Sequence, residues 1–361
     1  MEPPSLRRQY AAGTRVSDKQ VQKRATVHDV ARQAGVSLAT VDRVLNGRPG
    51  VRPATAEKVE EAIRTLDFRR DLSASLLARA RDLRVVFLIP NGKNEFMANL
   101  GAAVVRRSRS AKAERLTLET QPIRALDAAA LARALDALEP KSCDCAVIVA
   151  TEDQAVHRAV DAASRRGVAV MTLVSDLPGS ARRLFIGIDN VAAGRTAASL
   201  LGRFCQTGKI GLIAGSMGLR DHRERLEGFT TLLRQEFPEL QILGPAEGHD
   251  ERGETEHLAE DLLAAHPDLA GIYNLGAGNS GLLAALDKTG RAGKVRVVAH
   301  ELTDPTRAGL RSGAIDVVLD QNPDGEIRAA VAAARALALG QGSDYHPEPI
   351  EIGIFLRDNL R

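Results

Sequence analysis

The chain has 361 residues, 44% hydrophobic and only 3% aromatic, with a net charge of +3, enough length for two or three domains with cores of their own. Three cysteines, Cys143, Cys145 and Cys205, give neither a disulfide framework nor zinc-ligand spacing, and the eight histidines show no metal pattern, so free thiols and no metal are expected. No apolar run approaches a membrane span, and residues 1–24, carrying Arg7, Arg8, Arg15, Lys19, Lys23 and Arg24, contain no signal-peptide apolar stretch; a cytoplasmic protein with a disordered basic tail is expected.

Charge is unevenly spread. Residues 1–84 hold 17 of the 49 basic and 10 of the 46 acidic residues, so a basic head precedes a slightly acidic body, as suits a head that meets phosphates. Within that head, residues 26–46 read as two short helices joined by a tight turn, the unit that places one helix in the DNA major groove. Thr26 and Asp29 form a start signal for the first helix. Ala31 is small where the second helix must cross, Gly35 supplies the positive φ of the turn, and Val41 fills the angle between the helices. Pro53 opens a third helix in which Val59, Ala62, Ile63 and Leu66 recur at helical spacing. Residues 71–81 are a short, weakly amphipathic segment, too short for a stable helix alone.

From Val85 the texture changes to alternating strands and helices. The apolar runs 85–89, 146–150, 168–173, 210–214, 271–274 and 295–299 read as buried parallel strands. Ala- and Leu-rich helical stretches at 125–138, 155–166, 192–204 and 223–233 lie between them. The pattern is a βαβ body whose ligand sites are expected at the carboxyl ends of its strands.

A three-helix head, a short linker and such a body resemble the lactose-repressor-like family of bacterial transcription regulators. The resemblance is carried by 27–46, by Ile188-Asp189-Asn190 before Gly194, by 223–229 after the strand at 210, and by Asp320-Gln321-Asn322-Pro323. It implies an N-terminal helix-turn-helix DNA-binding head over 25–70 and a hinge helix over 71–82. The two-lobed, doubly wound α/β body over 83–361 is then of the type I periplasmic-binding-protein kind. Its first lobe is expected at about 83–188 and 319–343, its second at about 189–318 and 344–361. The implied protein is a homodimeric repressor, not an enzyme and without a cofactor, that binds a palindromic operator in double-stranded DNA and is controlled by a small sugar-like effector.

Carried over position by position, Leu38, Ala39 and Arg43 face base edges, Ser37 and Thr40 sit near phosphates beside Asn46, and Ala74 and Leu77 touch the minor groove. Only Arg43 among the base-facing three has the fork for bidentate bonding to guanine; Leu38 and Ala39 offer apolar contact to thymine methyls. Asp42 stands where serine is usual, Arg70-Asp71 replaces Pro-Asn, and Ser75 replaces a common arginine. In the body the matching pocket positions are Asn94, Phe96, Arg223, Glu301 and Gln321, with Asp176, Asn274, Asn279 and Asp320 as secondary positions. Arg223 is read as the anchor. With no tryptophan, stacking is slight, so a sugar or cyclitol is expected rather than a purine; a sugar phosphate stays open through Arg223, Arg225 and His222.

Two rival signals remain. Gly276-Ala277-Gly278-Asn279-Ser280-Gly281 matches the dinucleotide fingerprint, follows a strand and precedes a helix, with Glu301 placed for a ribose, which is the case for a nicotinamide-dependent oxidoreductase. Asp221 and His222 suggest acid/base work, but no nucleophile elbow or carboxylate pair accompanies them.

Overall fold

The computed structural model describes residues 25–45, 50–66, 68, 82–341 and 345–360. The chain divides into two compact units at Arg70. Asn46, Ala74 and Leu77, the basic tail and nearly all of the hinge lie outside the described residues.

The head is three helices: α1 (Val27–Ala34), α2 (Leu38–Leu45) and α3 (Pro53–Thr65). Thr26 and Asp29 cap α1 reciprocally, the Asp29 amide donating to the Thr26 hydroxyl at 3.3 Å and the Thr26 amide to the Asp29 carboxylate at 2.9 Å. Gly35 ends α1 at φ 66°, where a side chain would be strained. Val30, Val41 and Val59, one from each helix, are fully buried together with Ala31 and Ala62. The small side chain at position 31 is therefore a packing requirement.

The body has two sheets. The first contains β1 (Leu83–Asn91), β2 (Leu116–Arg124), β3 (Cys145–Ile148), β4 (Ala169–Leu173) and β5 (Leu184–Ile186), in the order β2-β1-β3-β4-β5 and all parallel. Alternation along β1 feeds two cores. Val85, Phe87 and Ile89 pack under α4 (Glu95–Ala111), whereas Val86 and Leu88 pack under α5 (Ala128–Asp136) and α6 (Gln154–Arg166).

The second sheet contains β6 (Gly208–Ala214), β7 (Leu240–Glu247), β8 (Leu269–Asn274), β9 (Arg296–His300), β10 (Val317–Asp320) and β11 (Gly353–Phe355). Their order is β11-β10-β9-β8-β6-β7, with only β11 antiparallel. One face is covered by α7 (Asn190–Cys205) and α8 (Arg220–Glu236), the other by α9 (Arg252–Ala265), α10 (Asn279–Lys288) and α11 (Asp304–Ser312). The helix α12 (Pro323–Ala338) leaves the second sheet but packs Ile327, Ala330, Val331 and Ala334 into the core of the first. The chain thus passes between the lobes near 187–189, again at 321–322, and returns before β11.

Cys143 and Cys145 lie on opposite faces of the first sheet, and burial raises both thiols, Cys143 to about 11. All three cysteines are free. Among the described residues no helix is long and apolar enough to cross a membrane, and no three His, Cys, Asp or Glu side chains are grouped to hold a metal ion.

Candidate functional site

The turn before α2 is fastened by Ser37, whose hydroxyl accepts from the Thr40 amide at 3.2 Å and lies 2.9 Å from the Thr40 hydroxyl. Burying Val41 against α1 and α3 turns the opposite side of α2 outward. Ser37, Leu38, Ala39 and Arg43 are exposed and Thr40 partly so, Ala39 and Arg43 lying one turn apart on the same face. Leu38 is among the most exposed large hydrophobic side chains described, at 42%. A lone leucine beside an arginine on the outer face of a small helix leaves apolar and forked donor groups available to a partner.

The body's site is a cleft between the lobes, and nearly every polar group on it follows the carboxyl end of a parallel strand. Asn94 caps α4, accepting from the Met97 amide at 3.1 Å, and donates across the cleft to Asp250 at 3.1 Å. Asp250 also accepts from the Ala277 amide at 2.7 Å. At the other side of the cleft the Glu152 amide donates to the Gly218 carbonyl at 3.2 Å, the Arg220 amide donates to the Ser175 hydroxyl at 3.1 Å, and the Arg223 guanidinium is ion-paired with Glu152. These contacts draw the lobes together over two adjoining hollows, which share Phe96, Asp250, Ala277, His300 and Glu301.

Arg225 stands at the centre of the inner hollow, 2% exposed. Its position follows from two glycines: a Cβ on Gly194 would lie 2.0 Å from the Arg225 carbonyl, and one on Gly228 would lie 2.1 Å from the Val191 carbonyl. α7 and α8 therefore meet backbone to backbone, which lets Arg225 Nε donate to Asn190 Oδ1 at 2.9 Å while Nη1 donates to the Leu275 carbonyl at 2.9 Å. Its Nη2 lies 3.6 Å from Glu301 and 4.0 Å from Asp221. Glu301 in turn accepts from the Gln321 amide at 2.9 Å and from its side-chain nitrogen at 2.8 Å.

Burial raises the Glu301 carboxyl, with Arg225 and the Gln321 bonds opposing. Burial and the nearby Glu301 also push Asp320 up to about 6 and Glu326 well above the usual carboxylate range. His300, hydrogen-bonded to Tyr273 at 2.9 Å, is held well below the usual histidine range by burial and by Arg225. Four buried atoms around the inner hollow have no hydrogen-bond partner: Asp221 Oδ1, Arg225 Nη2, His300 Nδ1 and Gln321 Oε1. Together they present donors and acceptors to one small space.

The body matches the family described as periplasmic binding protein domain over residues 85–342, and the head matches bacterial regulatory proteins, lacI family, over 26–71. The chain belongs to the periplasmic binding protein domain family, with a lacI-family head. The chain is 44% identical over 79 residues to catabolite control protein A of Priestia megaterium, covering 22% of this chain and 24% of that protein. It is 39% identical over 79 residues to HTH-type transcriptional regulator pepR1 of Lactobacillus delbrueckii subsp. lactis, with the same coverage. The matched stretch thus spans about a quarter of the length of these relatives.

The periplasmic-binding-protein body shares its fold with a solute-binding protein from Burkholderia graminis C4D1M in complex with D-arabinose (TM-score 0.71, 22% identity, 78% of this chain and 97% of that one). It shares it also with GanP, a glucose-galactose binding protein from Geobacillus stearothermophilus (TM-score 0.70, 20% identity, 78% and 99%).

Within this body the structure brings Asn94, Phe96, Asn279, Glu301 and Gln321 to the hollows. Asn274 lies behind them, donating to Asn279 at 2.8 Å and to the Ala277 carbonyl at 3.0 Å, and Asn279 donates to the His300 carbonyl. Three expected residues are elsewhere, among them Asp320, which accepts from the Leu302 amide at 3.0 Å and from the Asn322 amide at 3.1 Å. Asp176 accepts from the Thr172 hydroxyl at 2.7 Å and from Arg182 at 2.6 Å, closing its own loop. Arg223 is at the rim, bound to Glu152 and to the Met217 carbonyl at 2.6 Å, so the guanidinium in the hollow is that of Arg225. Asp221, Asp250 and His300 are lining residues absent from the expected set.

The glycines of the dinucleotide-like turn are accounted for by protein packing. A Cβ on Gly276 would lie 2.5 Å from the Gly215 amide, on Gly278 2.2 Å from the Thr255 hydroxyl, and on Gly281 2.0 Å from the Arg252 carbonyl. They let α9, α10 and the β8 loop approach closely, which leaves the nicotinamide reading without a feature of its own.

Proposed function

We propose that the protein is a sequence-specific, DNA-binding transcriptional repressor, homodimeric and cytoplasmic and not an enzyme, whose operator affinity is set by a small polyhydroxylated metabolite held between the lobes. Leu38, Ala39 and Arg43 meet base edges, Ser37, Thr40 and Asn46 fix the head on the backbone, and Ala74 and Leu77 enter the minor groove between two half-sites. One head supplies a single good bidentate pair, about 1–3 kcal/mol of discrimination, so two heads on a palindrome are needed for a specific site.

The observation that carries the effector half is the set of four buried polar atoms without a hydrogen bond on one hollow. Hydroxyl-rich ligands supply donors and acceptors in the mixture these atoms require. The sugars named for the neighbouring solved structures point the same way. With Phe96 the aromatic ring on the lining, recognition is by hydrogen bonding more than by stacking. A thermal-shift panel of sugars, cyclitols and sugar phosphates on the full-length protein tests this, followed by a DNA titration with any hit. A ligand that raises Tm and weakens operator binding is the expected result. No shift across the panel would remove the effector reading, and a hit that leaves DNA affinity unchanged would remove the coupling.

A further inference from the structure

We propose that the effector carries a protonated amine, as in an amino sugar or aminocyclitol, and that Asp221 is the counter-ion selecting it. The inference rests on the reading of the cleft as an effector site and narrows its ligand class. The inner hollow is lined by three carboxyl groups, Asp221, Asp250 and Glu301, by one guanidinium, Arg225, and by two imidazoles, His300 and His222, whose Nε2 lies 3.7 Å from Asp221. Asp320 and Glu326 lie close behind, where burial and the charge of Glu301 raise both carboxyls.

The charge of Arg225 is already committed. Nε and Nη1 are bound to Asn190 and to the Leu275 carbonyl, and Nη2 is 3.6 Å from Glu301 and 4.0 Å from Asp221. In the outer hollow, which Arg252 also lines, the Lys93 ammonium is 3.2 Å from Glu251. His300 is kept neutral by its burial and cannot make up the deficit. The inner hollow therefore sets Asp221 and Asp250 against one guanidinium in a place sheltered from water, where an unbalanced charge is costly.

The hydrogen-bond inventory points to the same chemistry. Asp221 Oδ1 and Gln321 Oε1 are acceptors without partners, on side chains 4% and 1% exposed. They belong to one contiguous run, Asp221 to Arg225 to Glu301 to Gln321, whose links are given above. An ammonium has three donors and no acceptor, and it supplies both the missing donors and the missing charge. A hydroxyl in its place brings Asp221 no charge, whereas a phosphate or carboxylate meets the carboxylates of Asp221 and Asp250.

The test is calorimetric titration of the full-length protein at pH 6.5 with matched pairs: pentoses, hexoses and inositols, each against its amino-deoxy counterpart, with the N-acetylated and phosphorylated forms as neutral and anionic controls. Of the pair that binds, the amine form is expected to bind at least tenfold tighter than its hydroxyl parent, and the N-acetylated and phosphorylated forms at least tenfold weaker than the amine. Asp221→Asn should bring amine and parent to within threefold of each other. The wild-type comparison stands without the variant should Asp221→Asn fail to fold. A hydroxyl parent that binds as tightly as its amine overturns the amine inference and leaves the effector reading in place. Silence from every pair overturns both.

Discussion

Replacing Arg225 with methionine keeps most of the apolar stem of the side chain and deletes the guanidinium that lines the inner hollow. Breaking one partner out of a buried charged group costs about 3–5 kcal/mol, because the remaining charges stay buried without compensation. Here Glu301 and Asp221 lose their cation, and the Asn190 and Leu275 acceptors lose donors worth about 1 kcal/mol each. These contributions overlap, so a loss of about 4–6 kcal/mol in the body's unfolding free energy is expected, a large part of the ~5–15 kcal/mol typical of a folded protein.

The loss should also depend on pH. Glu301 is raised by burial and held down by Arg225, so removing Arg225 raises it further. A carboxyl raised in the folded state favours folding when protonated and loses that contribution as pH rises through its folded value, so the deficit of Arg225→Met should be larger at pH 7.5 than at pH 5.5. Urea unfolding of wild type and variant at both pH values, followed by circular dichroism, measures both effects. A neutral-pH loss below about 1 kcal/mol, or a loss equal at the two pH values, would refute the placement of Arg225 as the counter-charge of this group.

Other outcomes follow from the same geometry. Arg43→Ala should reduce the ratio of operator to random-DNA affinity by about tenfold to a hundredfold at fixed salt, with a smaller effect on random DNA; an unchanged ratio in an anisotropy titration would take Arg43 out of base reading. Glu152→Arg and Arg223→Glu should each raise the effector concentration for half-saturation several-fold by opening the cleft, and the double exchange should restore it. If the single changes abolish binding and the pair does not recover it, Arg223 contacts ligand after all. Asp320 is pushed up from 3.8 to about 6, so relative to Asp320→Asn the wild type should gain about 1–3 kcal/mol of stability as pH falls from 7.5 to 5, read from urea melts; a gain on raising the pH would have the wrong sign.

The head was legible because each of its constraints leaves a residue-type mark: a capping pair at Thr26 and Asp29, a left-handed Gly35, a buried Val41. The central strands were legible because a strand buried on both faces is a continuous apolar run, as in β1 and β3. β2 and β7 were not, since each sits at a sheet edge with most of its residues partly or fully exposed and reads as mixed sequence. β5 and β11 are three residues long and leave no periodicity.

In the cleft, Glu301 and Gln321 were within reach because they directly follow strand ends, and Asn94 and Phe96 because they lie within five residues of one. Arg223 reads as the anchor rather than Arg225, yet positions i and i+2 on a helix are about 200° apart, so only one of them can face inward. The signal was present: His222, Arg225, Phe229, Leu232 and Leu233 form the buried stripe of α8, and Arg223 lies off it. Asp250, held by Asn94 from the other lobe and by the Ala277 amide, follows no apolar strand run and had no local mark.

The measurement that bears most directly on the account is selection of duplex DNA from a random library by the purified full-length protein at moderate ionic strength, sequenced with and without the ligand found by titration. Enrichment of one inverted repeat, changed in strength by that ligand and lost in Arg43→Ala, is the predicted result. A library that emerges with no sequence favoured under either condition would contradict it.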